Sequence, residues 1–482
     1  MANPQVEHVM RRAGFGMGTE ERVRFYDMSV PLLIDLLVNF ERQPDDVDEK
    51  VGQGAYVSVT TRGRFSPYTN IEDARQLWLF RMIHGERPLQ EKMALFWHNH
   101  FATAYSKVAG IVGGAQATKM MMLKDGEPSG PRGQIDLFRQ FALGNFRDLL
   151  IEVAKNPAML VWLDGRLNTR QRPQENFGRE VMELFTFGVG NYTEQDVYAA
   201  ARVFTGWSIR FVNGGNDSAS YYETVYNPNN HDGNEKTFTF PIYGNGSRSI
   251  PARSTADGAQ DAADFLTALA RHPQTARRLA AKLWNFFISE VEAPSEAFLR
   301  SVADIYLQSN TEMRPVVRYI LRSQWFMDQQ HFHARYSWPV EYVVRAIKET
   351  GWNGFSVDAA RTPLANMGQN LFEPPDVNGW DLGRGWFSTG AMLARMNFAS
   401  TLAANQRFNL ARDAGAFRSS PDKVMGYFMS RFTPAPLDRQ PYNELMSYLN
   451  AGGSWSGSDA QVNARAAGLT RLIVGSAEYQ FV

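Results

Sequence analysis

Pro173-Gln174-Glu175-Asn176-Phe177-Gly178-Arg179-Glu180-Val181-Met182-Glu183-Leu184-Phe185-Thr186-Phe187-Gly188-Val189-Gly190-Asn191-Tyr192-Thr193-Glu194-Gln195-Asp196 is the stretch that decides the fold. Pro173 opens a helix over residues 174–187, Gly188 and Gly190 stop it, and Thr193 with Asp196 three positions later starts a second helix to about Trp207. Two helices joined by a short glycine turn make a helical hairpin. Helical patterns flank His84-Gly85-Glu86-Arg87-Pro88, so residues 71–103 form another hairpin. Further helices are expected over 135–143, 146–155 and 157–163, within 257–323, and over 339–351, 358–366 and 389–408. The first 42 residues read as short helices, 43–70 as a polar surface loop and 124–134 as a Gly/Pro-rich connection. Residues 208–250, rich in Asn, Gly and Tyr and alternating at Lys236-Thr237-Phe238-Thr239-Phe240, are expected to form short strands in an exposed loop. The fold class is therefore mainly α: a large multi-helix single domain built from helical hairpins with a small β/loop insertion at 208–250. Residues 1–410 would be the helical domain, and 411–482 a C-terminal helical and loop extension packed on it.

Composition removes several classes. Among 482 residues, 50 Lys and Arg balance 50 Asp and Glu, so no overall basic field draws the chain to nucleic acid. With no Cys there is no disulfide framework, thiolate nucleophile or Cys-ligated zinc. No run approaches the roughly 18 apolar residues that a membrane span needs. The start, Met1-Ala2-Asn3-Pro4-Gln5, lacks the charged and apolar regions of a signal peptide. Gly-x-Ser-x-Gly, Gly-x-x-x-x-Gly-Lys and His-Glu-x-x-His are absent, and with them the best-known hydrolase, phosphate-loop and zinc-protease signatures.

Candidate chemistry gathers at a few places. On a regular helix Phe177, Val181 and Leu184 fall within about 60° of one another and form a buried stripe. Asn176, Glu180 and Glu183 follow i, i+4, i+7 spacing beside it, leaving Glu175, Arg179 and Thr186 for the remaining side. Two carboxylates and an amide beside a core suit metal coordination or acid/base work; a solvated face with Glu–Arg pairs is the plain alternative. In Phe96-Trp97-His98-Asn99-His100-Phe101, His100 falls on the apolar face and His98 about 160° away, so the rings share a metal only if the helix unwinds near Asn99. Buried His that merely satisfies a neighbour is the alternative. Asp164 and Asn168 sit on a loop at a helix end, where function concentrates and where Asp also simply stabilises turns. His231-Asp232-Gly233, in the insertion, reads as an exposed turn whose His could reach a site as a lid residue. Trp380, in Phe372-Glu373-Pro374-Pro375-Asp376-Val377-Asn378-Gly379-Trp380, suits a sugar-binding cleft or plain packing.

These segments carry a family resemblance. Phe96–Ala102, residues 156–164, 174–197 and 205–207, residues 231–238 (HD-x-G-x-KTF) and 374–380 (PPDV-x-GW) stand in the order of the motifs of the bacterial domain-of-unknown-function family numbered eighteen hundred. The resemblance starts at Arg11-Arg12-Ala13-Gly14-Phe15-Gly16 and runs to about residue 400. Gln174 replaces the usual Asn, and one extra residue precedes Lys236. The resemblance implies an exported bacterial protein, periplasmic or secreted, often paired with a sulfatase-like companion.

The expectation is an enzyme, a hydrolase or lyase acting on carbohydrate or another extracytoplasmic polymer. Glu180, Glu183, His100, Asp164 and His231 are the catalytic candidates, and Asn176, Asn168, Asp232, Lys236, Trp207 and Trp380 the substrate contacts. His98, His100, Glu180 and Glu183 are candidate ligands of a divalent metal: Zn, Mn or Fe, or Ca or Mg if only carboxylates bind. The competing expectation is a non-enzymatic carbohydrate binder or scaffold for the companion, its polar residues forming a buried network. A metal-free carboxylate pair of the glycosidase kind would need Asp164 or Asp232 as partner, since Glu180 and Glu183 on one helix cannot flank a sugar.

Overall fold

Asn70 accepts the Glu72 N–H and starts the helix Ile71–His84, Gly85 ends it, and Pro88 opens the helix Pro88–His100. In this computed structural model, which describes residues 3–60, 63–124, 130–213, 219–351, 354–405 and 415–482, that hairpin runs through the middle of the core. Every residue of Pro88–His100 except Asn99 is buried. A helix enclosed on all sides must satisfy its polar residues internally. Glu91 accepts from Trp78 Nε1 (3.0 Å) and Arg139 Nε (2.7 Å), and Lys92 pairs with Glu341. Glu341 belongs to a second helix, Pro339–Thr350, buried along its whole length, and Arg335 also reaches it at 2.9 Å. Two enclosed helices are thus joined by buried charge, and removing one partner of such a pair costs about 3–5 kcal/mol.

The architecture is mainly α in one large domain, with two small two-stranded sheets among the described residues. Helices Phe146–Lys155, Pro157–Trp162 and Asp358–Asn366 fall where the periodicity places them. The second hairpin begins with Glu175–Glu180 and continues as a π-helix, Val181–Thr186, where the sequence suggested one regular helix. Thr193 and Asp196 form the expected capping box of Glu194–Val203. That helix stops short of Trp207 because Trp207–Val212 pairs antiparallel with Tyr221–Tyr226, Trp207 opposite Tyr226.

The insertion is less exposed than expected. Lys236, Phe238 and Phe240 are buried while Thr237 and Thr239 alternate outward, and His231 is fully buried. The last helix of the expected 389–408 segment is Thr389–Asn405; residues 406–408 and the boundary at 410 lie outside the described residues. The C-terminal segment is tied to the enclosed helix: Arg345 donates to the carbonyls of Phe432 (2.7 Å), Thr433 (2.9 Å) and Phe481 (3.0 Å), and the Val482 N–H to Arg335 O (2.9 Å). No helix of the described residues is long and apolar enough to cross a membrane.

Candidate functional site

Three separate stretches meet at the end of the Pro88–His100 helix. His98 Nε2 accepts the Phe372 N–H at 3.2 Å, Asn99 Oδ1 accepts the Trp380 N–H at 2.8 Å, and His100 Nε2–H donates to Phe185 O at 3.1 Å. The His-Asn-His run therefore fastens both the Phe372–Trp380 loop and the π-helix. Gly379 makes the close approach possible: its φ is +85°, and a Cβ there would lie 2.3 Å from Asn99 Oδ1.

Between these elements lies a cleft of about 210 Å³, walled by Phe96, Phe286, Trp338 and Trp380 and lined by His100, Arg278 and Lys282. Lys282 and Arg278 stand one turn apart on the helix Pro273–Phe287. Lys282 Nζ donates to His100 Nδ1 at 3.0 Å, so both nitrogens of the imidazole are engaged and the ring is held neutral. Burial, then the Lys282 and Arg278 charges, push His100 well below the ordinary His value. Burial and the neighbouring Arg278 lower Lys282 to about 7. Among the described residues no carboxylate pairs with either cation. Arg278 reaches only Leu184 O, at 3.4 Å, and its Nε is buried without a partner.

The carboxylates stand on the π-helix side. Glu180 is half-buried; burial raises its pKa, and the charges of Glu183 and Asp376 raise it further. Glu183 accepts the Tyr192 hydroxyl, and its charge acts on Arg278. Asn176 leaves this group: it is exposed and donates to Leu163 O at 3.4 Å. The π-turn is braced by Thr186, whose hydroxyl donates to Val181 O at 2.6 Å, and by the Phe187 N–H reaching five residues back to Met182 O at 2.8 Å. Thr186, set with Glu175 and Arg179 on the remaining side by a regular-helix count, is buried in the wider turn.

The other expected residues lie apart. His98, with burial lowering it to about 3, sits among Trp78, Phe372 and Trp380, so its ring does not converge with His100. Each ring already serves a backbone group, and among the described residues no three His, Asp or Glu are placed to hold a metal ion. The expected ligand set does not fit one metal in this arrangement.

Asp164, at φ +59°, pairs with Lys107 at 3.1 Å. Asn168 is buried and ties two segments, accepting from the Gln174 N–H (3.0 Å) and donating to Ala201 O (2.8 Å). His231 is an interior anchor where an exposed lid was expected: its Nδ1 meets Thr205 O at 2.9 Å and its Nε2 Asp261 at 3.2 Å. Lys236 joins the same carboxylate at 2.6 Å, Arg253 pairs with its other oxygen at 2.7 Å, and Arg202 holds Asp232 at 2.6 Å. Asp232 is depressed to about 2, the Arg202 bond outweighing burial. Trp207 lines a separate apolar pocket of about 260 Å³ with Phe177 and Phe204.

Lys282, Arg278 and Asn99 escaped the sequence reading. A signal existed for the first two: the 15-residue helix Pro273–Phe287 carries Arg277, Arg278 and Lys282 and no carboxylate.

The fold and cleft define a mainly α protein with a basic and aromatic cleft beside a carboxylate pair. The chain matches the family of proteins of unknown function DUF1800 over residues 8–481, and it belongs to that family. The match runs through Phe481, well past residue 400, and so includes the C-terminal segment. No curated protein and no solved structure matches the chain.

Proposed function

We propose that the chain is a hydrolase or lyase whose proton-transfer group is the Lys282 amine. One observation carries the reading: an amine set in an aromatic cleft, hydrogen-bonded to a neutral imidazole at 3.0 Å and unpaired with any carboxylate of the described residues. Such an amine is substantially unprotonated near neutral pH and takes a proton in the reacting complex. His100 cannot be that base, since both its nitrogens are engaged; it orients the Lys282 lone pair. Glu180, its pKa raised first by burial and then by the Glu183 charge, would supply the acid.

In hydrolysis Lys282 would take the proton of a water whose oxygen attacks the electrophilic carbon, while Glu180 gives its proton to the departing oxygen. In elimination the same amine would take a carbon-bound proton, the electron pair would form the double bond, and Glu180 would protonate the leaving oxygen. Trp380 and Trp338 are largely buried but line the cleft, and an aromatic lining of this kind supports a carbohydrate substrate.

The test is competitive labelling with acetic anhydride across pH, read by peptide mass spectrometry, together with turnover of a polysaccharide panel. Lys282 is expected to react with an apparent pKa near 7, and Lys282→Gln to lose about 10²-fold or more of turnover while keeping its unfolding midpoint. An apparent pKa near 10, or undiminished turnover, would sink the reading.

A further inference from the structure

The helix Pro273–Phe287 contains three cations and no carboxylate. Arg277 is neutralised from outside by Glu296. Arg278 and Lys282 are not, and both line the cleft. Like charges four residues apart destabilise a helix, and each is also partly withdrawn from water. Among the described residues the Glu183 charge opposes this at Arg278, and no carboxylate forms an ion pair with either side chain. The Arg278 Nε is buried without an acceptor, its longest reach is a carbonyl at 3.4 Å, and the nearest carboxylate acting on it, Glu183, is occupied by Tyr192. A planar guanidinium with free donors, next to an amine that also offers N–H, is the donor set that a carboxylate or sulfate group accepts from, the Arg278 bonds being charge-assisted and stronger than neutral ones. Around those donors stand Phe286, Trp338 and Trp380, an apolar lining that suits a ring-bearing ligand better than a small hydrated ion.

We infer that the cleft recognises a ring-bearing anion, an acidic sugar residue whose carboxylate or sulfate sits between Arg278 and Lys282 while its ring packs on the aromatic wall. This rests on reading the cleft as a substrate site, and it does not depend on Lys282 acting as base. The anion would serve binding, with Arg278 orienting the sugar. An uncharged sugar would leave the Arg278 guanidinium partly desolvated and unpaired, so selection against it is built in.

Titration calorimetry on the full chain with D-glucuronate, D-glucose 6-sulfate, D-glucose and inorganic sulfate tests this. At least one charged sugar is expected to bind tenfold or more tightly than glucose and than inorganic sulfate, and which of the two binds tighter identifies the anion. Arg278→Gln and Lys282→Gln should each weaken that binding tenfold or more, Arg278→Lys should restore part of it, and thermal unfolding should show all three folded. Charged sugars binding no better than glucose, or binding untouched in both Gln variants, would overturn the inference. The two readings fail separately: charged-sugar binding with a Lys282 amine of ordinary pKa removes the proton-transfer role alone, whereas Lys282-dependent turnover of neutral glycans without charged-sugar binding removes the anion site alone.

Discussion

At the scale of single residues, His98, Asn99 and His100 have three separate duties because consecutive helical positions point about 100° apart. The middle residue connects most directly to the cleft wall, since its amide oxygen holds the Trp380 backbone. Gly379→Ala should expose how tight that junction is. The substitution forces a side-chain residue to φ +85° and puts a Cβ within 2.6 Å of the Asn99 carbonyl oxygen. A loss of about 2–4 kcal/mol in urea unfolding is expected, with weaker sugar binding; an unchanged midpoint would show that the loop is not pinned there. Of this neighbourhood the sequence made the residue types visible and the partners invisible. His98 and His100 were legible as unusual in an apolar helix, but what each ring touches lies on chain segments far away.

At the scale of elements, the π-helix Val181–Thr186 decides how the carboxylates stand. Counting 100° per residue from Asn176 puts Asn176, Glu180 and Glu183 on one face; the wider turn begins just after Glu180, so that count no longer holds for Glu183, which still stands near enough for its charge to raise the Glu180 pKa. π-segments are costly in geometry and recur at functional sites. Here the Thr186 hydroxyl bridges five residues back to Val181 O. Thr186→Val keeps the shape and removes that donor, leaving a buried carbonyl short of one bond. Destabilisation of about 1–2 kcal/mol is expected in chemical unfolding; no change would mean that the backbone alone maintains the turn. Helix starts at Pro88 and Thr193, by contrast, were readable in advance, because Pro88 fixes its own φ and Thr193 accepts an amide only three residues on. Local chemistry of this reach does not need the rest of the fold.

At the scale of the whole molecule, the two enclosed helices and their surroundings hold several His residues neutral. His8, His98 and His100 are buried, and burial is the first cause lowering each; His84 and His333 are also depressed, to about 3 and about 2. A depressed folded pKa means that the unfolded chain takes up protons first, so stability is full above the unfolded value of 6.5 and falls with pH below it. For His8, His98 and His100 together the loss between pH 7.5 and 5.5 is on the order of 4 kcal/mol. Glu341, lowered to about 2 chiefly by Arg335 and Lys92 against its burial, adds a further loss only below pH 4.5. Glu7 and Glu290, raised by burial, act in the opposite sense toward the acid end. Urea midpoints measured at pH 7.5, 6.5 and 5.5 should therefore fall steadily, and a flat profile would contradict the neutral, enclosed state of these rings.

The mainly α class, the hairpins with their caps and glycine stops, the short strands of the insertion and the family follow from the amino-acid order alone, carried by signals a few residues long or by motifs in sequence. It took the packed chain to make His231 and Lys236 interior anchors on Asp261, to close a turn of π-helix with the Thr186 hydroxyl on Val181 O, and to bring Lys282 to His100 across 182 residues. The physical reason is that capping and periodicity act between neighbours along the backbone. Desolvation, and the pairing or isolation of a charge, are properties of whatever the fold packs around it.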